Sequence, residues 1–190
     1  MPANPNAARE ALARLYPPLA PALLAWCNLR LSPSLRRAVA PEDLAQEVWL
    51  RAFHVFDSFD DQRMTFRAWL FAVGKRVLLE VQRRATNSSK ELPASGSSTR
   101  LLALDEVPDS VTSLTSRISK DERVREFTAK LGELDEKDRM TAIHCGLEEL
   151  GYAETAQRLG ESYEATIKRW QRLRDRMRTW AGALDLLSNA

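Results

Sequence analysis

Apolar residues recur at helical spacing from the start of the chain to about Arg84, and Pro and Ser residues mark the breaks. The same spacing returns from about Asp121 to about Leu187. Neither block contains an apolar–polar alternation long enough to build a sheet. The pattern therefore predicts an all-α chain with two small helical domains, at 1–85 and 121–190, and residues 1–40 are expected to help build the first.

The stretch between these blocks, residues 86–120, has no clear period. It includes TNSSKELPASGSST and a further Pro at position 108, and it is poor in aromatic residues. Such a composition is typical of flexible linkers. We therefore predict that a flexible tether joins the two helical domains.

The segment APEDLAQEVWLRAFHVF predicts a helix with two different faces. One face is apolar and belongs in the core: Leu44, Val48, Ala52 and Val55. The other is acidic and amide-bearing, with one exposed leucine: Asp43, Gln46, Glu47, Leu50 and His54. Such a face suits a basic partner helix, although a charged face is more often only solvated.

The segment FRAWLFAVGKRVLLEVQRR predicts a helix that follows a polar loop containing Phe56, Phe59 and Phe66. Its apolar stripe is expected in the core: Trp69, Leu70, Val73, Val77 and Val81. A basic edge runs beside the stripe: Lys75, Arg76, Arg83 and Arg84. Cations beside aromatic rings suit a single nucleic-acid strand, and a solvated amphipathic helix is the alternative.

The second block has the spacing of a helix-turn-helix. One helix is predicted from an Asp135 N-cap to a stop at Gly151, then a short helix ends at Gly160, and Ser162 caps a longer one. The longer helix has an apolar stripe at Thr166, Trp170, Leu173, Met177 and Trp180. Its opposite face is basic and amide-bearing, which suits the major groove of DNA; an Arg-rich surface helix is the alternative.

The composition of the chain limits the kinds of function that it can have. The net charge of +2 decides little, but basic residues concentrate in 75–84 and 168–178, as local phosphate binding requires. Cys27 and Cys145 are far apart and are expected to be buried apolar residues. The sequence lacks nucleotide-binding, metal-ligand and nucleophile motifs, which argues against an enzyme, a cofactor or a metal site. It also lacks a membrane-spanning run or a signal peptide, so a cytoplasmic protein is expected.

Several segments of the sequence resemble a known protein family. DLAQEVWLRAF, at 43–53, resembles region 2 of the extracytoplasmic-function sigma factors of bacterial RNA polymerase, and FRAWLFAVGKRVLLEVQRR is similar to the promoter-melting helix of that region. The segment from LDEKDRMTAIHCGLEELG to QRLRDRMR resembles region 4. Both modules are thus covered, in the family's order.

The resemblance implies a sigma factor that binds core RNA polymerase and promoter DNA and directs −10 melting and transcription initiation. Relatives are commonly restrained by an anti-sigma factor, so such a protein is a candidate partner, although the sequence does not show whether one exists. We expect no small-molecule substrate and no insertion into a membrane. The residues implied as polymerase contacts are Asp43, Gln46, Glu47 and Leu50. Those implied for the −10 element are Arg63, Arg67, Lys75, Arg76, Arg83 and Arg84, and those for the −35 element are Tyr163, Lys168, Arg169, Gln171 and Arg172.

The chain departs from the family at several positions. Arg76 stands where the melting helix usually has Asn, and Thr141, Thr155 and Thr166 occupy usually aliphatic positions of region 4. Each buried hydroxyl then needs a hydrogen-bond partner.

Two other functions fit the helical pattern. A stand-alone helix-turn-helix regulator binds palindromic DNA as a dimer, but it does not need the acidic face at Asp43. A helical protein-interaction adaptor lacks the steep salt dependence of DNA binding.

Overall fold

The computed structural model describes residues 5–88, 118 and 121–187. Over these residues it is helical and contains no strand, which confirms the predicted all-α class. The first module comprises α1 (Pro5–Arg30), α2 (Pro41–His54) and α3 (Phe66–Ser88). The second comprises α4 (Glu122–Gly132), α5 (Glu136–Thr141), α6 (Tyr152–Leu159), α7 (Tyr163–Met177) and α8 (Ala183–Leu186). Among the described residues no helix is both long and apolar enough to cross a bilayer.

The first module is built around α2, which packs between α1 and α3. Pro41 stands in the first turn of α2 with the acidic Glu42 and Asp43, as a helix N-terminus favours. The predicted core stripe of α2 is buried except for Val55, which is half-buried, and that of α3 is buried throughout. Trp26 of α1 meets Phe71 of α3 edge to face, with ring centroids 5.8 Å apart.

The predicted helix ends of the second module are confirmed at three positions. The side chain of Asp135 accepts a hydrogen bond from the Asp138 amide at 2.9 Å, and that of Ser162 accepts one from the Ala165 amide at 3.2 Å. Gly160 ends α6 with a φ of 62°, which favours glycine. The helix-turn-helix α6–α7 is therefore fixed by the caps that the sequence predicted.

The prediction of one regular helix up to Gly151 is wrong. Residues Ala142–Leu147 form a π-helix, and Glu149 then adopts a φ of 55°. Gly146 packs so closely that an added Cβ would lie 2.7 Å from atoms of both Trp170 and Leu187. Because this approach depends on partners distant in sequence, helical spacing alone did not indicate it.

The three threonines at usually aliphatic positions are completely buried, and each hydroxyl has a partner. Thr141 and Thr166 donate to carbonyls four residues earlier, at 2.7 and 3.1 Å. The Thr155 hydroxyl accepts from the Cys145 thiol at 3.5 Å. Hydrogen bonds within the second module thus satisfy the hydroxyl groups of all three threonines.

The predicted domain boundary at residue 85 falls inside α3, which continues to Ser88. Most of the predicted linker 86–120 lies outside the described residues. The two modules are not separate bodies: α1 packs against α4 and the π-helix, so that one apolar core runs through both.

A buried carboxylate lies where the modules meet. Glu148, 1 % exposed, accepts a hydrogen bond from Trp26 Nε1 at 2.7 Å and contacts His144 Nδ1 at 2.9 Å. Lys75 Nζ lies 3.5 Å from the same carboxylate. Burial raises the pKa of Glu148, but the hydrogen bonds of His144 and Trp26 and the charge of Lys75 outweigh it and lower the pKa to about 2.

This pKa predicts acid sensitivity. Since the pKa of Glu148 is lower in the folded chain than its ordinary value of 4.5, its stabilisation is complete above pH 4.5 and is lost as the pH falls towards 2. Between these pH values we expect the parent to lose about 2–3 kcal/mol more unfolding free energy than Glu148→Gln. Urea denaturation at stepped pH measures the difference. The exposed control Glu133→Gln should follow the parent, and parallel curves for the parent and Glu148→Gln would contradict the assignment.

Candidate polymerase and nucleic-acid interface

The predicted polymerase-contact face of α2 is only partly exposed. Asp43 is exposed and Gln46 is half-buried, near the start of the helix. Glu47 and Leu50 are only 6 % and 9 % exposed, so the prediction that they belong to an open surface is wrong for this arrangement. The reason is that α2 is the central helix of the module and is covered on most of its circumference.

Glu47 belongs to a group of charges between α2 and α3. Arg51 lies 3.9 Å from Glu47 and 3.2 Å from Glu80 of α3. Burial raises the pKa of Glu47, and the charges of Arg51 and Arg84 oppose the shift. Glu47 therefore stabilises the contact between two helices of the same module.

An aromatic cluster forms the base of the loop before α3. Four rings, with neighbouring centroids 5.4–6.3 Å apart, pack together there: Phe56, Phe59, Phe66 and Trp69. Arg63 and Met64 of the loop are exposed, Met64 at 42 %. A rigid ring cluster beside an exposed cation can accept an unstacked base and its phosphate.

The exposed edge of α3 is basic, as predicted. Arg76, Arg83 and Arg84 are exposed, and Leu79 between them is 51 % exposed. Arg84 also lies 3.9 Å from Glu80. These side chains form a cationic strip that can follow a phosphate backbone.

Arg67 and Lys75 do not belong to that strip, contrary to prediction. Arg67 is 9 % exposed and donates to the Leu147 carbonyl at 3.3 Å and to the Leu186 carbonyl at 3.0 and 3.1 Å. Burial lowers the pKa of Arg67, and the nearby Glu149 opposes the shift. Lys75 points at Glu148. Both cations therefore lie in the junction between the modules.

A sequence signal for the burial of Arg67 did exist. At 100° per residue, Arg67 lies on the same side of α3 as Phe71, Gly74 and Leu78, which are all buried. Its guanidinium carbon lies 5.8 Å from the centroid of the Phe71 ring. The apolar residues following it at helical spacing indicated an inward position.

The outer face of α7 matches the predicted DNA-binding surface at four positions. Lys168, Gln171 and Arg172 are exposed and line a shallow groove together with Ala165, Asp175 and part of Arg169. Tyr163, at the start of the helix, is 50 % exposed. These side chains offer donors and cations that can reach base edges and phosphates.

Arg169, the fifth predicted −35 residue, is half-buried at the edge of this groove, and its guanidinium is engaged within the second module. It contacts Asp138 of α5 at 2.5 Å and Glu161 of the turn at 2.9 and 3.1 Å. These hydrogen bonds hold the pKa of Arg169 above its ordinary value. Arg169 thus links α7 to Asp138 of α5 and to Glu161 of the turn.

The described residues contain no group of three or more His, Cys, Asp or Glu side chains placed to hold a metal ion. Cys27 and Cys145 are buried thiols, as predicted, and burial raises the pKa of both.

Comparison with known proteins bears most directly on the identity of the first module. Residues 15–88 match the family model described as Sigma-70 region 2. No curated protein matches the chain. A solved structure described as "Structure of CnrH in complex with the cytosolic domain of CnrY" is similar at 23% sequence identity, over 93% of this chain and 88% of that chain. Its TM-score is 0.41.

The family match includes α2, the aromatic cluster and α3, where the sequence resembled sigma factors. It confirms the predicted family and, with it, a transcription initiation factor rather than an enzyme. The first module of the chain is therefore a sigma-70 region 2, which agrees with the predicted sigma-factor family.

Proposed function

We propose that this sigma factor binds core RNA polymerase, melts the −10 element with its first module and reads the −35 element with its second. The observation that carries the proposal is the combination, in one chain, of a sigma-70 region 2 with a helix-turn-helix whose last helix exposes Lys168, Gln171 and Arg172.

The start of α2 is the proposed site of first contact with the polymerase. Asp43 and Gln46 are accessible there, and an acidic and amide surface complements a basic partner helix. Glu47 and Leu50 lie beneath them and are buried by neighbouring parts of the chain. We propose that these two residues contact the polymerase only when those parts move away. An anti-sigma factor, expected from the resemblance, remains a prediction.

The polymerase contact is tested with the double variant Asp43→Ala/Gln46→Ala. We expect its affinity for core polymerase to fall about tenfold or more, since interface contacts of this kind are worth about 1–2 kcal/mol each. Fluorescence anisotropy of the labelled chain measures the affinity. The exposed control Glu133→Ala should bind like the parent, and equal binding by the double variant would exclude this face.

The −10 element is proposed to meet the aromatic cluster and the cationic strip. Unstacking a base costs a few kcal/mol, which ring contacts and phosphate contacts must offset. Arg63, Arg76, Arg83 and Arg84 are accessible for those phosphates.

The −35 element is proposed to receive the outer face of α7 in its major groove. Lys168 and Arg172 suit guanine or phosphate, Gln171 suits adenine, and the Tyr163 hydroxyl suits phosphate. Arg169 is proposed to act on DNA only indirectly, because it holds the helix in place.

Two alanine variants should therefore have different effects on DNA affinity and on stability. Arg172→Ala should weaken holoenzyme binding to its selected promoter duplex by about 1–3 kcal/mol and leave unfolding unchanged. Arg169→Ala should lower the unfolding free energy by about 1–3 kcal/mol, because it leaves Asp138 and Glu161 without their shared donor. Urea denaturation and filter binding measure the two quantities. An Arg169→Ala chain of parental stability that loses DNA affinity would show that Arg169 contacts DNA itself.

A further inference from the structure

The outer face of α7 is not uniformly basic. At about 100° per residue, the buried side chains of this helix lie on one side: Thr166, Trp170, Leu173 and Met177. The side chains that point directly away from them form one exposed stripe: Glu164, Lys168, Gln171 and Asp175. The stripe thus has a carboxylate at each end. Because a carboxylate repels phosphate, a surface that bound only the DNA backbone would be weakened by both.

The two carboxylates differ in their surroundings. Asp175 lies 3.3 Å from Arg178 of the same helix. Among the described residues no cation forms an ion pair with Glu164, although Lys168 follows one turn later. In the equivalent place on α6, Glu154 lies 2.8 Å from Arg158, four residues later. Glu164 therefore presents a carboxylate without a counterion to whatever contacts the outer face of α7.

Glu164 is also the side chain of the first turn of α7 that points straight outward. Tyr163, about 100° away around the helix, meets the Tyr152 ring edge to face, with centroids 6.3 Å apart. Ser162 caps the same turn through the Ala165 amide at 3.2 Å. In a helix-turn-helix, the N-terminal residues of the second helix contact base edges. Glu164 therefore stands where base contacts are made.

The chemistry of a carboxylate selects one base in the major groove. An ionised carboxylate only accepts hydrogen bonds. Cytosine presents the N4 donor there and no acceptor, whereas guanine presents two acceptors, and thymine presents an acceptor and a methyl group. Adenine presents its donor beside the N7 acceptor, which repels the second carboxylate oxygen. Cytosine is therefore the base that a carboxylate fits best, and the other bases are disfavoured by repulsion.

We propose that Glu164 is a specificity-determining residue that accepts a hydrogen bond from N4 of a cytosine in the −35 element. The inference rests on the proposed function, because it takes the outer face of α7 to lie in the major groove. A helix rises about 1.5 Å per residue and DNA about 3.4 Å per base pair. Glu164 and Lys168 then contact bases about two pairs apart, and Lys168 suits guanine.

The test compares base preferences rather than affinity alone. Holoenzyme made from core RNA polymerase and the full chain selects duplexes that are randomised in the −35 region, and the selected duplexes are sequenced. Glu164→Gln keeps the size of the side chain and removes its charge. The matched control is Glu154→Gln, which removes the same charge from the exposed first turn of α6. Circular dichroism verifies the helix content of both variants.

We expect the parent and the Glu154→Gln control to prefer cytosine at one −35 position about tenfold over each other base. With Glu164→Gln that preference should fall to about twofold or less, and adenine should gain, because an amide pairs with adenine. Preferences at the other −35 positions should stay as in the parent.

Two results would overturn the proposal. One is a parent that selects a −35 sequence in which no cytosine preference changes with Glu164→Gln. The other is an equal change in affinity for every sequence in both variants, which would show that Glu164 acts only through its charge. A holoenzyme without any −35 preference would instead refute the proposed function, so the two failures are distinguishable.

Discussion

A buried carboxylate must be paired, and the arrangement of this chain depends on how Glu148 meets that constraint. Its partners come from three helical segments: Trp26 from α1, Lys75 from α3 and His144 from the π-helix. None of these donors alone offsets the cost of burying a charge. Only when α1 and α3 lie against the π-helix is the carboxylate satisfied, so the network links the two modules.

The same packing determines which functional side chains are accessible. The start of α2, the cationic strip of α3 and the outer face of α7 remain exposed, whereas Arg67 and Lys75 are enclosed in the junction. Within the second module, Arg169 holds α7 in place by pairing with Asp138 and Glu161. Charged residues that look equivalent in the sequence thus divide into those that are accessible to a partner and those that hold the fold.

The sequence predicted what depends on local periodicity and local hydrogen bonds. The core stripe of α3, the caps at Asp135 and Ser162 and the turn at Gly160 are set within a few residues, and they were predicted correctly. The exposure of candidate site residues such as Lys168 was predicted for the same reason, whereas their role stays a prediction.

The errors have a common physical cause. The burial of Glu47 and Leu50 depends on neighbouring helices, and the π-helix around Gly146 depends on Trp170 and Leu187. Arg67 bonds to Leu186, 119 residues away. Helical spacing places such residues on a face but does not say what will cover that face.

The most direct measurement of the central claim is promoter opening by a reconstituted holoenzyme. Core RNA polymerase and the purified chain are used together to select duplex DNA from a fragmented bacterial genome, and the selected fragments are probed with permanganate. We expect reactive, unpaired thymines near the −10 position only when both proteins are present. Selected fragments that stay fully paired, or a chain that gives core polymerase no promoter preference, would contradict it.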